Sequence, residues 1–237
     1  MPWSEPGLLA ACAIAALVIS TAGTAWAIAY ARRRGMFDQP GERRSHAAAT
    51  PRGGGIGIVL ALLLVLAWLG WREHAGWWPV AAGLFLVAGA GWGDDHRPLP
   101  IALRLFVHVV AGLALAWGLH LQGAGTPAVM AALVLVPVLV NAWNFMDGID
   151  GLAASQALLC GVGLACLLGG GWQLAAIALA AACLGFLPFN RPPARIFLGD
   201  VGSGALGYAI AVLLAGGVAM LPSTVWPLLL LPPMAML

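Results

Sequence analysis

The sequence predicts an all-α, polytopic membrane bundle, and three observations carry that prediction. The chain is 62% apolar and 8% charged, where ordinary soluble domains carry about 25% charge, and its mean hydropathy is +0.93. Its apolar residues fall in long runs, and roughly 20 such residues are needed to cross about 30 Å of hydrocarbon. Alternation at period two is absent, so helices rather than a barrel must satisfy the backbone inside the bilayer. The 237 residues read as a single transmembrane domain.

The first run, near 8–30, contains small-x-small positions in TAWAIAYA, yet no basic region precedes it and Arg32, Arg33 and Arg34 follow it. It therefore reads as a retained span with its amino terminus outside, not a signal peptide. Further runs lie near 53–71, 77–92, 101–120, 126–143, 151–169, 172–188, 203–220 and 224–237. That gives about nine spans, with the weakest boundary between the sixth and seventh. The four cysteines, Cys12, Cys160, Cys166 and Cys183, sit inside these runs without CxxC spacing and read as small core residues.

The loops after odd-numbered spans, near 31–52, 93–100, 144–150 and 189–202, hold nearly everything polar. Ten of the eleven arginines lie on or beside them, and only Arg72 falls on the other face. The positive-inside rule makes the arginine-rich face cytoplasmic. The same face collects Asp38, Glu42, Asp94, Asp95, Asp147, Asp150 and Asp200, leaving Glu5 and Glu73 opposite. Solvated loop charge suits Glu42 and Asp38. Carboxylates abutting apolar runs on several loops of one face point instead to a shared pocket, because drawing such a group toward the bilayer costs a few kcal/mol.

In VNAWNFMDGIDGLA, residues 140–153, two amides and two carboxylates recur every three residues: Asn141, Asn144, Asp147 and Asp150. In a helix that spacing puts neighbouring members on one face, and Gly148 and Gly151 allow the chain to turn there. Helix capping needs one such residue, not four. In GWGDDHRPLP, residues 91–100, adjacent Asp94 and Asp95 end a span. Two like charges so close resist joint ionisation unless a cation or donors stabilise them. Oxygen ligands without a His/Cys cluster point to Mg²⁺ or Mn²⁺.

NRPPARIFLGDVGSGALGY, residues 190–208, places Arg191 and Arg195 before Asp200, then Gly202, Ser203 and Gly204 at a helix entrance. Backbone N–H groups there, with arginine nearby, suit a phosphate; a Gly-rich turn packing two helices is the competing reading. FDQPGERRSHAAATPRGGG, residues 37–55, supplies Arg43, Arg44, His46 and Arg52. A positive-inside loop accounts for its arginines but not for Gly53, Gly54 and Gly55. His108 follows Arg104 by four residues and reads as packing or lining.

These four loops, in this order, resemble those of the polyprenyl-phosphate N-acetylhexosamine-1-phosphate transferases, and the RRSH and PRGGG form resembles the branch that starts O-antigen and teichoic-acid chains. The resemblance implies a multi-pass protein of the bacterial inner membrane with a cytoplasmic site. It implies Mg²⁺, a UDP-sugar donor, undecaprenyl phosphate as acceptor within membrane lipid, and UMP as product. Nucleic acid is not an expected partner, and a homodimer is left open. Asp200, with Asp94 or Asp147, would hold the metal. Asp94 and Asp95 would stand nearest the acceptor phosphate, with a base role and a metal role both open. Asn144, Asp147 and Asp150 would hold the donor or the metal shell, and Asn141, Arg43, His46, Arg52, Arg195 and Ser203 would bind substrate. Relatives continue through a fifth cytoplasmic loop rich in Arg and His, whereas this sequence stops at LLLLPPMAML. The expectation is that the 237-residue chain alone is inactive or nearly so.

Two rival classes remain. An intramembrane prenyltransferase also gathers aspartates around a polyprenyl diphosphate, but needs paired D-x-x-x-D patterns that neither GWGDDHRP nor NFMDGIDG supplies. A transporter would place its charges near the bilayer midplane and often repeat its halves, and neither feature is visible.

Overall fold

Helices dominate because each apolar run is long, rich in Ala and Leu, and free of strand-like alternation. The computed structural model describes residues 5–38 and 49–229. Within them lie α1 (Pro6–Arg34), α2 (Ile56–Arg72), α3 (Trp77–His96), α4 (Ile101–Leu121), α5 (Thr126–Met146), α6 (Leu152–Leu167), α7 (Gly170–Asn190) and α8 (Gly199–Met220). Two short strands, β1 (Phe37–Asp38) and β2 (Thr50–Pro51), pair antiparallel, with Phe37 opposite Pro51 and Asp38 opposite Thr50. Helix α1 runs on through Arg32, Arg33 and Arg34 in its last turn and stops at Gly35, whose φ of 68° is the left-handed ending that glycine permits. Cations in that turn complement the negative end of the helix.

Five helices, α1, α4, α5, α7 and α8, are long and apolar enough to cross a membrane by length and composition. The expected count of about nine spans is therefore not reproduced. At 17 and 16 residues, α2 and α6 are shorter, and α3 ends in Asp94, Asp95 and His96. Of the ninth run, Ser223–Val225 form a 3-10 turn and 226–229 are helical; the remainder lies outside the described residues. The weak sixth-to-seventh boundary is real and narrow, since α6 ends at Leu167 and α7 begins at Gly170.

The bundle is organised around α8, which is buried from Val201 to Gly217. Its small residues make this possible, because lipid provides no hydrophobic drive between helices and close backbone packing must hold them. A Cβ on Gly55 would strike the backbone of Gly202, joining α2 to α8, and one on Gly91 would strike the Asp200 backbone, joining α3 to α8. Gly207 lies equally close to Leu139 and Val140 of α5. The buried Tyr208 hydroxyl donates to the Val80 carbonyl at 2.9 Å, pinning α8 to α3. The C-terminal ends of α3 and α5 and the N-terminal end of α8 thus come together. Those ends carry Asp94, Asp95, Asn144 and Asp200.

Candidate active site

The glycines that positive charge could not explain form the platform of the site. Gly54 N–H donates to Phe197 O at 2.8 Å and Gly55 N–H to Leu198 O at 2.9 Å, while Phe197 N–H donates to Pro51 O at 2.9 Å. The segment before α2 is thereby laced to the segment before α8. Gly199 then turns with φ of 71°, and a Cβ there would lie 2.6 Å from Asp95 Oδ2. Asp95, buried at 2% exposure, accepts the Asp200 N–H at 3.0 Å on Oδ1 and the Val201 N–H at 3.1 Å on Oδ2. Arg52 braces it from the other side, donating from Nη2 to the Asp95 carbonyl at 2.6 Å with Nε 3.9 Å from Oδ1.

Two cavities meet above this platform. The first, of about 180 Å³, is lined by Asp38, Arg52, Asp95, Asn144, Asp147 and Asp200, among others. The second, of about 300 Å³, has apolar walls at Val87, Ile101, Val140 and Phe145 and polar groups at Asp94, Arg104, His108 and Asn141. Both include Asn144 and Asp200. Asn144 Nδ2 donates to Asp200 Oδ1 at 2.7 Å, and the Asp94 and Asp200 carboxyls stand within hydrogen-bonding reach of each other. Asp94 also accepts the Leu99 N–H at 2.6 Å and lies 3.4 Å from Arg104 Nη1.

The glycosyl transferase family 4 model matches residues 77–217, which run from α3 to α8 and include most of both cavities. The chain belongs to this family of polyprenyl-phosphate N-acetylhexosamine-1-phosphate transferases. It is 36% identical over 210 residues to a phospho-N-acetylmuramoyl-pentapeptide-transferase of Synechococcus, covering 78% of this chain and 59% of that one. A decaprenyl-phosphate N-acetylglucosaminephosphotransferase of Mycolicibacterium smegmatis is 30% identical over 234 residues, covering 84% and 57%. A phospho-N-acetylmuramoyl-pentapeptide-transferase of Heliobacterium modesticaldum is 32% identical over 221 residues, covering 79% and 68%. The chain thus spans a little over half the length of the first two relatives. Both phospho-N-acetylmuramoyl-pentapeptide-transferases and an N-acetylglucosaminephosphotransferase are among the relatives.

In this chain the helical reading of the three-residue spacing ends at Met146. Asn141 and Asn144 are on α5, and Asp147 to Gly151 form a turn. Asn141 donates from Nδ2 to Pro137 O at 2.7 Å and lines the second cavity. Asp150 lies outside the lining of both cavities: its Oδ2 accepts the Ala194 N–H at 3.0 Å, tying the α5–α6 turn to the segment before α8. Arg195 also lies away from them, exposed, with its guanidinium 5.3 Å from the Phe189 ring centre. Ser203 is fully buried within α8, one position beyond the Gly202 contact with α2. Arg43 and His46 lie outside the described residues.

Asp38, Arg104 and Asn190 gain a place that the sequence reading did not give them, and His108, read as packing or lining, is found as a lining residue. Asp38, read as loop charge, lines the first cavity, and Arg104 and His108 line the second. The four-residue spacing of Arg104 and His108 on α4 was the available signal. Asn190, buried, accepts the Gly151 N–H and donates to Ile196 O, both at 3.0 Å, so it clamps two loops. Nothing local marks it.

Among the described residues no three His, Cys, Asp or Glu side chains converge as a ready-made metal shell. The Asp94 and Asp200 pair nonetheless suits Mg²⁺, which takes one or two carboxylates and completes its shell with water and substrate phosphate. Two carboxyls this close call for a shared proton or a cation between them. Asp147, in the turn, is raised well above the usual carboxylate range by its removal from water and then by the charges of Asp95 and Asp200. The described site is therefore rich in negative charge that a cation would relieve.

Proposed function

We propose that the protein transfers HexNAc-1-phosphate from a UDP-HexNAc to undecaprenyl phosphate, forming undecaprenyl-diphospho-HexNAc and releasing UMP, at the cytoplasmic face of the bacterial inner membrane. The observation that carries this reading is the pair of cavities joined at Asn144 and Asp200, one polar and one with apolar walls. A water-soluble diphosphate suits the first, and a phosphate on a polyprenyl chain suits the second.

A lipid phosphate has a second pKa near 6, so at pH 7 it is already largely dianionic and needs alignment and neutralisation more than a base. One of its oxygens attacks the sugar-bearing phosphorus, and the bond from that phosphorus to the oxygen of UMP breaks. Arg104 in the second cavity and Arg52 in the first supply positive charge on either side of the reacting phosphorus. Asn144 holds Asp200 by its side-chain amide. Asp200 and Asp94, with Asp147 nearby, would hold Mg²⁺, which when bound neutralises phosphate oxygens and stabilises charge in transfer.

Membranes carrying the full gene product should convert labelled UDP-HexNAc into butanol-extractable lipid, with activity lost on EDTA and UMP as coproduct. UDP in place of UMP would mean that another bond breaks, and the reading would fail.

A further inference from the structure

We infer that Asp95 is a positioning residue: it fixes the first turn of α8 and thereby aims Asp200, while its neighbour Asp94 is the carboxylate that faces substrate. The inference rests on the transfer reading above and assigns the adjacent aspartates different tasks. The geometry separates them. Each Asp95 oxygen accepts one backbone N–H, from Asp200 and from Val201. These belong to the first turn of α8, where intrahelical partners are lacking and a negative charge is favoured. The side chains at Ser203 and beyond cannot provide that cap, because they already lie within the helix, and Leu198, the residue before it, offers no side-chain hydrogen bond.

The surroundings leave Asp95 little freedom. Gly199 must be glycine both for its φ of 71° and because a Cβ would meet Asp95 Oδ2 at 2.6 Å and Gly53 N at 2.7 Å. Arg52 holds the backbone of Asp95 and stands beside its carboxylate. Asp94 differs from it: its ties are to the Arg104 side chain and the Leu99 N–H, and it lines the cavity with apolar walls, whereas Asp95, 2% exposed, borders the polar one. The run 53–55, the start of α8 and the end of α3 therefore form one rigid seat for Asp200, with Asp95 as its centre.

Residues that orient metal ligands typically change metal affinity by about 10–100-fold when altered. The test uses the purified protein in nanodiscs, with Mn²⁺ binding followed by EPR and sugar-phosphate transfer measured across Mn²⁺ concentrations. Asp95→Asn keeps one acceptor but loses the second and the charge. It should weaken Mn²⁺ binding about tenfold or more, with the rate largely restored by excess metal. Gly199→Ala removes no carboxylate, yet it displaces Asp95 and should reproduce the same pattern. Asp94→Asn should lower the rate at saturating metal as well. Normal Mn²⁺ binding by Asp95→Asn and Gly199→Ala, or a loss of rate in Asp95→Asn that excess metal leaves unchanged, would overturn the inference. If the unaltered protein bound Mn²⁺ but transferred no sugar phosphate, the transfer reading would fail while the binding comparison still judged the seat.

Discussion

Asn144 Nδ2 donates a 2.7 Å hydrogen bond to Asp200 Oδ1, joining the last turn of α5 to the first turn of α8 across 56 positions of chain. It is the contact shared by both cavities. Asn144→Ala should leave the bundle folded, because the side chain lies at a helix end, and should lower transfer about 10–100-fold, as expected when a ligand's orienting partner is lost. Initial rates at matched protein levels check this, and a rate within twofold of the unaltered protein would separate Asn144 from the site.

Replacing Asp200 with Asn should cost at least about a hundredfold in turnover, comparable to deleting a main electrostatic catalyst. Glu73 provides the contrast. It accepts Trp77 Nε1 at 2.9 Å and the Gly171 N–H at 3.1 Å, contacts that belong to the loop between α2 and α3 and to the start of α7. Glu73→Gln should therefore keep its turnover. Near-normal turnover in Asp200→Asn would remove Asp200 from the metal site.

Arg104 lies in the cavity with apolar walls and not in the polar one. Losing a charged hydrogen-bonding partner costs about tenfold or more in binding, so Arg104→Gln should raise KM for undecaprenyl phosphate by roughly that factor and move KM for the UDP-sugar far less. The reverse pattern in steady-state kinetics would exchange the assignments of the two cavities.

Asp147 gives a pH dependence whose sign follows from its raised pKa. A carboxyl raised on folding favours the folded state when neutral. That stability is fully present below the ordinary carboxylate value of about 4 and is lost as pH rises through the higher folded value. Metal-free protein in EDTA should therefore melt at progressively lower temperature as pH increases above about 4. Mg²⁺ or Asp147→Asn should flatten the slope. Thermal unfolding across that range checks it, and an identical slope in Asp147→Asn would assign the dependence to other groups.

Arg52, Asp95, Asn144, Asp147 and Asp200 line one cavity although they come from four separate segments of the chain, so those segments must reach the same side of the membrane. In a Cys-free background, Arg191→Cys should be labelled only after the membrane is opened. Labelling from outside intact cells would place the site on the opposite face.

The sequence by itself determined the class of the protein and most of the residues that meet at its two joined cavities. Composition and run length do not depend on contacts, so the helices from α1 to α8 could be located, including the narrow break after Leu167. Ordered loops carrying Asp94, Asp147 and Asp200 sufficed to indicate a family that residues 77–217 then showed. Only the tertiary structure decided what each polar group touches. Asp94 and Asp95 are indistinguishable in the chain, yet successive side chains on a helix point about 100° apart, which sends one toward the cavity with apolar walls and the other onto the start of α8 at the edge of the polar cavity. The glycines at 53–55 looked unexplained because their reason lies about 150 residues away in sequence, at Leu198 and Gly202. Asn190 and Asp38 stayed hidden for the same cause: a hydrogen bond or a cavity wall between distant segments has no local period. Span number was the least legible feature, since α2 and α6 are apolar enough to resemble spans but are short, and their place is set by the helices that enclose α8.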